Sequence, residues 1–226
     1  MTKILSVQNL SKKYDHRDGI VCALDDVSLS IEKGSFVSIT GPSGSGKTTL
    51  LLTLSGLIRP SSGKILFKEK DLSTASDKEL AAFRKENVGF VMQNFSLIPY
   101  MTAIQNVMIP LGLNGYSSAQ KQALSSAVLE LVGLENRLSH YPRELSAGQQ
   151  QRVAIARALV NKPSVVFADE PTGNLDPSLS SEILAFMQKI NKELSITILM
   201  VTHSPQAANY GSVKINLVDG KIDSQT

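Results

Sequence analysis

A single cysteine, Cys22, is all that the 226 residues contain. That excludes an intrachain disulfide and a zinc site built from cysteines, and it suits a reducing compartment. Long apolar runs are missing as well. Those at 165–168 and 198–201 fall far short of the ~20 residues that cross a bilayer, so no membrane-spanning helix is expected. The first ten residues lack the apolar stretch of a secretory leader, and none is expected. Charge of one sign is also scarce. The net charge is +3 with Lys and Arg scattered rather than blocked, which gives nucleic-acid binding no support. What remains is an ordinary globular composition, 42% hydrophobic and 19% charged, long enough for one sizeable domain with a real core.

Against that background one stretch stands out. Gly41-Pro42-Ser43-Gly44-Ser45-Gly46-Lys47-Thr48-Thr49 fits G-x-x-x-x-G-K-S/T. Residues 36–39 before it read as a short buried strand, and residues 50–54 after it as a helix. Strand, glycine loop, helix is the context that a phosphate cradle needs. The glycines let the backbone turn tightly and bring its N–H groups to an anion, and the helix opening near Gly46 adds the positive end of its dipole. Lys47 is expected to reach the β- and γ-phosphates, and the Thr48 hydroxyl to sit on Mg²⁺.

The rest of the chain alternates strands and helices. Residues 4–10 alternate apolar and polar residues as in an edge-type strand, followed by a polar loop at 15–19 and a second strand at 23–31. The helix after the glycine loop is expected to stop near Leu57, at Arg59-Pro60. Strands follow at 64–67 and 88–92, with a helix at 77–85 between them. From 93 to 158 a helical period dominates, with an amphipathic helix at 119–132. The α/β alternation returns with a strand at 164–168, a helix at 178–194, a strand at 196–201 and a final strand near 213–218. Leu179, Ile183, Met187, Ile190 and Leu194 share one face of the long helix. The expected fold is α/β with a mostly parallel sheet covered on both faces, an N-terminal antiparallel β region and an inserted helical lobe. It is one domain over 1–226, with a core at 1–92 and 159–226 and the lobe at 93–158.

Residues 165–170, Val-Val-Phe-Ala-Asp-Glu, are four apolar residues and then two acids. A buried strand ending in carboxylates places them at the sheet's carboxyl edge, where open α/β sheets bind ligands. Asp169 is expected to hold Mg²⁺ through water, and Glu170 to act as general base on the attacking water. Residues 145–152, Leu-Ser-Ala-Gly-Gln-Gln-Gln-Arg, precede an apolar helix, and Ser146 reads as its N-cap.

Together and in this order, these three segments resemble the ATPase cassette of ABC transporters over essentially the whole chain. The resemblance implies ATP with Mg²⁺, and hydrolysis driven by Glu170, His203 and Lys47. It implies that Ser146 and Gly148 bind the γ-phosphate of ATP held by a second copy of the chain, so that an ATP-dependent head-to-tail homodimer completes the site. Ala147 stands where the family motif L-S-G-G-Q has its first glycine. By the same resemblance Tyr14 stacks on adenine, Gln93 touches Mg²⁺ and couples to the membrane partner, Asp176 lies in the loop that crosses to the other subunit, and His203 contacts the γ-phosphate. Ser204 occupies a position that is acidic in many relatives. The implied partner is a transmembrane permease subunit rather than nucleic acid, and the implied location is the cytoplasmic face of the cell membrane. The apolar stretch 94–106 is a candidate seat for a helix of that subunit.

Residues 170–176, 92–99 and 218–222 resemble the lipoprotein-releasing and macrolide-export type, which points to export, extraction or mechanical transmission. An amino-acid importer ATPase is the nearest transport alternative. Non-transport cassettes of translation or repair would carry two cassettes or long coiled coils. A phosphate-loop kinase would have no use for Ser146 or His203.

Overall fold

The computed structural model describes residues 2–17 and 19–226. Its strands are β1 (Lys3–His16), β2 (Gly19–Glu32), β3 (Phe36–Thr40), β4 (Ser62–Phe67), β5 (Lys70–Asp71), β6 (Val88–Val91), β7 (Val165–Asp169), β8 (Thr197–Val201), β9 (Val213–Val218) and β10 (Lys221–Gln225). Its helices are α1 (Lys47–Leu54), α2 (Asp77–Asn87), α3 (Ala103–Met108), α4 (Ser118–Leu131), α5 (Ala147–Leu159), α6 (Pro177–Leu194) and α7 (Pro205–Ala208).

Two sheets organise these elements. One is antiparallel, in the order β2-β1-β4-β5; the other runs β10-β9-β3-β8-β7-β6 and is parallel except for the β9–β10 hairpin. The parallel strands are short apolar runs because both of their faces are covered. Their side chains alternate between two cores as a period of two requires. Val37, Ile39, Val165, Phe167, Leu199 and Val201 join the core shared with α1 and the antiparallel sheet. Phe36, Val166, Ala168, Ile198 and Met200 join the core under α5, α6 and α7. Helices α3, α4 and α5 enclose a third core around Val107, Leu129, Val132, Val153 and Ala156.

Three readings from sequence need correction. Strand β1 is interior rather than an edge, because β4 pairs along its other side, and it runs on through His16 into what looked like a polar loop. Helix α1 is ended by Gly56, not by Pro60. Gly56 takes φ 69°, its N–H donates to Thr53 O (3.1 Å), and the Leu57 N–H donates to Leu52 O (3.0 Å). That glycine-capped pair of bonds satisfies the helix's last carbonyls before the proline is reached. On α6, Ile183, Met187 and Ile190 are buried but Leu194, in the last turn, is half exposed.

Candidate active site

The parallel sheet brings the chemistry to one edge. Strands β3, β7 and β8 all point their carboxyl ends the same way, so the glycine loop after β3, Asp169-Glu170 at the end of β7 and His203 after β8 meet there. Ala23, Ser43, Gly44, Gly46, Lys47, Thr48, Thr49 and Glu170 line a cleft at that edge. The loop bends sharply into α1, with Gly46 at φ 96° as its N-cap. A side chain at Gly46 would run into the carbonyl of Ala23 on β2, so only glycine allows strand and loop to touch here.

Lys47 is buried, and its ammonium donates to the Gly41 and Pro42 carbonyls at 2.9 and 2.7 Å. Two of its three donors thus hold it across the loop. Thr48 donates its hydroxyl to Asp169 Oδ1 at 3.2 Å. Half-burial pushes the Asp169 carboxyl above its ordinary value. The Thr48 hydrogen bond and the Lys47 charge act against that rise, and the neighbouring Glu170 adds to it. Thr48 and Asp169 together offer hard oxygen donors of the kind that Mg²⁺ takes.

Glu170 sits at φ 46°, a left-handed conformation that costs a non-glycine residue about 1 kcal/mol. Its backbone is held there from both sides: its N–H donates to Val201 O and its carbonyl accepts from the Gly173 N–H, both at 3.0 Å. Strain kept in place by such contacts is typical of a working residue. The Glu170 carboxylate meets His203 Nδ1 at 2.7 Å. Glu170 also borders a second cleft, between α6 and α7, that His203, Thr202, Ser181 and Tyr210 line.

The remaining sequence candidates lie on other elements. Tyr14, on β1, pairs across the hairpin with Val21, two residues before Ala23, and the Lys12 ammonium lies 4.9 Å from its ring centre. Gln93 and Glu170 converge on Gly173, where an added methyl would meet the Gln93 amide nitrogen at 2.8 Å and Glu170 Oε2 at 3.3 Å. Asp176 caps α6, accepting from the Ser178 and Leu179 N–H groups at 3.1 Å each. Ser146 caps α5 in a reciprocal box: its hydroxyl accepts from the Gln149 N–H, and the Gln149 side chain accepts from the Ser146 N–H. Tyr14, Gly41, Pro42, Ser45, Gln93, Ser146, Gly148, Asp169, Asp176 and His203 are not among the residues lining the cleft beside the glycine loop.

Both departures from the family pattern have physical explanations. Ala147 is exposed at the first position of α5, so its methyl meets no obstacle. Gly148 is buried, and a methyl there would stand 2.6 Å from Leu179 Cδ1. Ser204 caps α7, its hydroxyl accepting from the Ala207 N–H at 3.2 Å. Serine and aspartate are interchangeable in that task.

Several residues make supporting contacts that the sequence reading did not foresee. Asn174 donates its amide to the Gln93 carbonyl and to Asn94 Oδ1, both at 3.0 Å, which ties the loop before α6 to the loop after β6. Gln151 is fully buried and donates to the Pro171 carbonyl at 2.6 Å, next to Glu170. Its place on the apolar face of α5 was the available signal. Arg157 grips the Phe95 and Ser96 carbonyls at 2.8 and 2.6 Å. The apolar groove beside the lobe is lined by Leu57, Val88, Phe90, Met92, Pro110 and Ala158, with Arg84 and Arg157 at its sides, rather than by residues 94–106.

Comparison with known proteins identifies relatives of the whole chain. A family profile described as "ABC transporter" matches residues 24–173. The macrolide export ATP-binding/permease protein MacB of Syntrophobacter fumaroxidans is 43% identical over 225 residues, which cover 99% of this chain and 32% of that protein. The lipoprotein-releasing system ATP-binding protein LolD of Geobacter metallireducens is 40% identical over 222 residues, 98% of this chain and 99% of that one. The solved dimer of the ATP-binding cassette MJ0796, bound to ADP and Pi, superposes with a TM-score of 0.89 at 38% identity, covering 98% of this chain and 97% of that chain. Among the described residues no helix is long and apolar enough to cross a membrane.

Proposed function

The chain belongs to the ABC transporter family of ATPases, and from that premise we propose that it is the ATP-hydrolysing subunit of an export- or extraction-type transporter, working against a separate transmembrane subunit. The observation that carries the site assignment is that Lys47, Thr48 and Glu170 line one cleft, with Asp169 hydrogen-bonded to Thr48 and His203 paired with Glu170. Residues 41–49 hold the phosphates through backbone N–H groups, the α1 dipole and Lys47. Thr48 and Asp169, assisted by Gln93, would hold Mg²⁺, which would supply positive charge to offset that of the phosphate oxygens.

Glu170 takes a proton from the attacking water. His203, bonded to Glu170 Oε2, fixes the direction of that carboxylate and leaves Oε1 for the water. Phosphoryl transfer is otherwise positioning and charge neutralisation. Tyr14 supplies the base platform. Ser146 and Gly148, which lie outside the cleft of their own chain, complete the site of a second copy, with Asp176 in the loop facing it. The dimeric MJ0796 cassette supports that arrangement. ATP then favours the closed pair through its extra contacts there. The lobe over 93–158 passes the motion on, and the groove between Leu57, Met92 and Pro110 receives a segment of the membrane subunit at the cytoplasmic face.

Glu170→Gln tests the centre. It preserves the shape and the hydrogen bond to His203, so ATP binding should persist while turnover falls by about 10²-fold or more. Light scattering should then find an ATP-dependent dimer. Turnover at the wild-type rate would remove Glu170 from the role of base.

A further inference from the structure

The turn between β9 and β10, Asp219-Gly220, lies far along the chain from the phosphate loop and yet rests on it. The Gly220 N–H donates to the Ser45 carbonyl at 3.0 Å, and the Asp25 N–H donates to the Gly220 carbonyl at 2.9 Å. Lys221 closes the junction with an ion pair to Asp25 at 3.1 Å, and that carboxylate holds the Lys221 ammonium above the ordinary lysine range. Three pieces of chain therefore meet here: the phosphate loop, the β2 segment that carries Ala23, and the C-terminal turn. Gly220 takes φ 76°, and a methyl on it would stand 3.0 Å from the Ala23 carbonyl. The Ala23 carbonyl in turn faces Gly46.

We propose that Gly220 is a positioning residue for nucleotide binding, clipping the phosphate loop to the hairpin that carries Tyr14. The peptide group is planar and trans, so its C=O and N–H point in opposite directions. A hydrogen bond that fixes the Ser45 carbonyl toward residue 220 therefore fixes the Gly46 N–H away from it, at the mouth of α1 where Gly46 borders the cleft. Without that clip the Ser45–Gly46 peptide could rotate, and a donor aimed at the phosphates would lose its direction. The same residue sets the distance between the loop and Ala23. Since β2 also carries Val21, opposite Tyr14, the clip keeps base platform and phosphate cradle in register.

This inference rests on reading residues 41–49 as the phosphate site, and the test separates the two. Calorimetric titration with ADP, together with steady-state hydrolysis of ATP, is carried out on wild type, Lys47→Ala, Gly220→Ala, Asp219→Ala and Lys221→Glu. Gly220→Ala should raise the ADP Kd and the KM for ATP about five- to tenfold with kcat within about twofold. Asp219, at φ 47°, is exposed in the same turn, so alanine there strains the turn without pressing on Ala23. It should lower the melting temperature about as much as Gly220→Ala does and leave Kd within about twofold. Lys221→Glu, which places like charges beside Asp25, should raise Kd about two- to threefold, and it decides the matter if Gly220→Ala does not fold. If Lys47→Ala binds ADP as tightly as wild type, the phosphate-site reading fails. If Lys47→Ala loses binding while Gly220→Ala and Lys221→Glu keep it, or if Asp219→Ala weakens binding as much as Gly220→Ala, the positioning role is overturned.

Discussion

Asp169 carries an electrostatic cost at the edge of the parallel sheet. Its carboxyl is raised above the ordinary 3.8, chiefly by desolvation. A carboxyl raised in the folded state binds its proton more tightly there than in the unfolded chain. Its contribution favours folding below the unfolded value and is lost as pH rises through the folded one. At neutral pH the ionised Asp169 therefore opposes folding, by an amount that partial exposure keeps small. Asp169→Asn keeps an oxygen for Thr48 and removes the charge. Its melting temperature without nucleotide should exceed wild type at pH 7, with the gain vanishing below the ordinary aspartate value, while Mg²⁺-dependent hydrolysis falls by about 10²-fold. Calorimetric scans across pH read the first effect and a phosphate-release assay the second. Glu170 stores its cost differently, in a left-handed backbone at the end of a strand.

Helix caps are where elements meet the site. Serine, threonine or aspartate caps α2, α3, α4, α5, α6 and α7 through its side chain, whereas α1 begins at Gly46 with no side-chain cap. The helix left without one is the helix whose first N–H groups border the phosphate cleft. Ser204→Ala should cost about 1 kcal/mol in urea unfolding, and Ser204→Asp should stay within about 0.5 kcal/mol of wild type, because only the first loses the acceptor for the Ala207 N–H. Equal losses in both would mean that Ser204 acts through something other than its cap.

At the scale of the whole molecule, Ser146 and Gly148 ride on a lobe with its own core, and they lie outside the cleft formed by residues 43–49. A head-to-tail pair would supply each cleft with the other chain's Ser146. Two inactive variants should then complement each other. Lys47→Ala breaks one chain's phosphate loop, and Ser146→Arg blocks the other chain's contribution. In their heterodimer both faults fall on one site and the second site is intact, so mixing should restore up to about a quarter of wild-type hydrolysis. Activity that stays at the level of either variant alone would mean that each site draws on one chain only.

The sequence determined the phosphate loop, the acidic strand end, the α/β alternation and the cap at Ser146, because each rests on neighbours within a few residues along the chain. Glycine, proline and apolar periodicity state such preferences locally. Only the tertiary structure decided that β1 is interior, that His203 contacts Glu170, that Asn174 joins two loops and that Gly220 rests on Ser45. Those contacts join residues tens to more than a hundred positions apart, and no local pattern encodes which strands will lie side by side. The glycine loop read from sequence was a complete motif. In the folded chain its Ser45 carbonyl is held from Gly220 and its Gly46 packs on Ala23, so its geometry depends on chain that the motif does not contain.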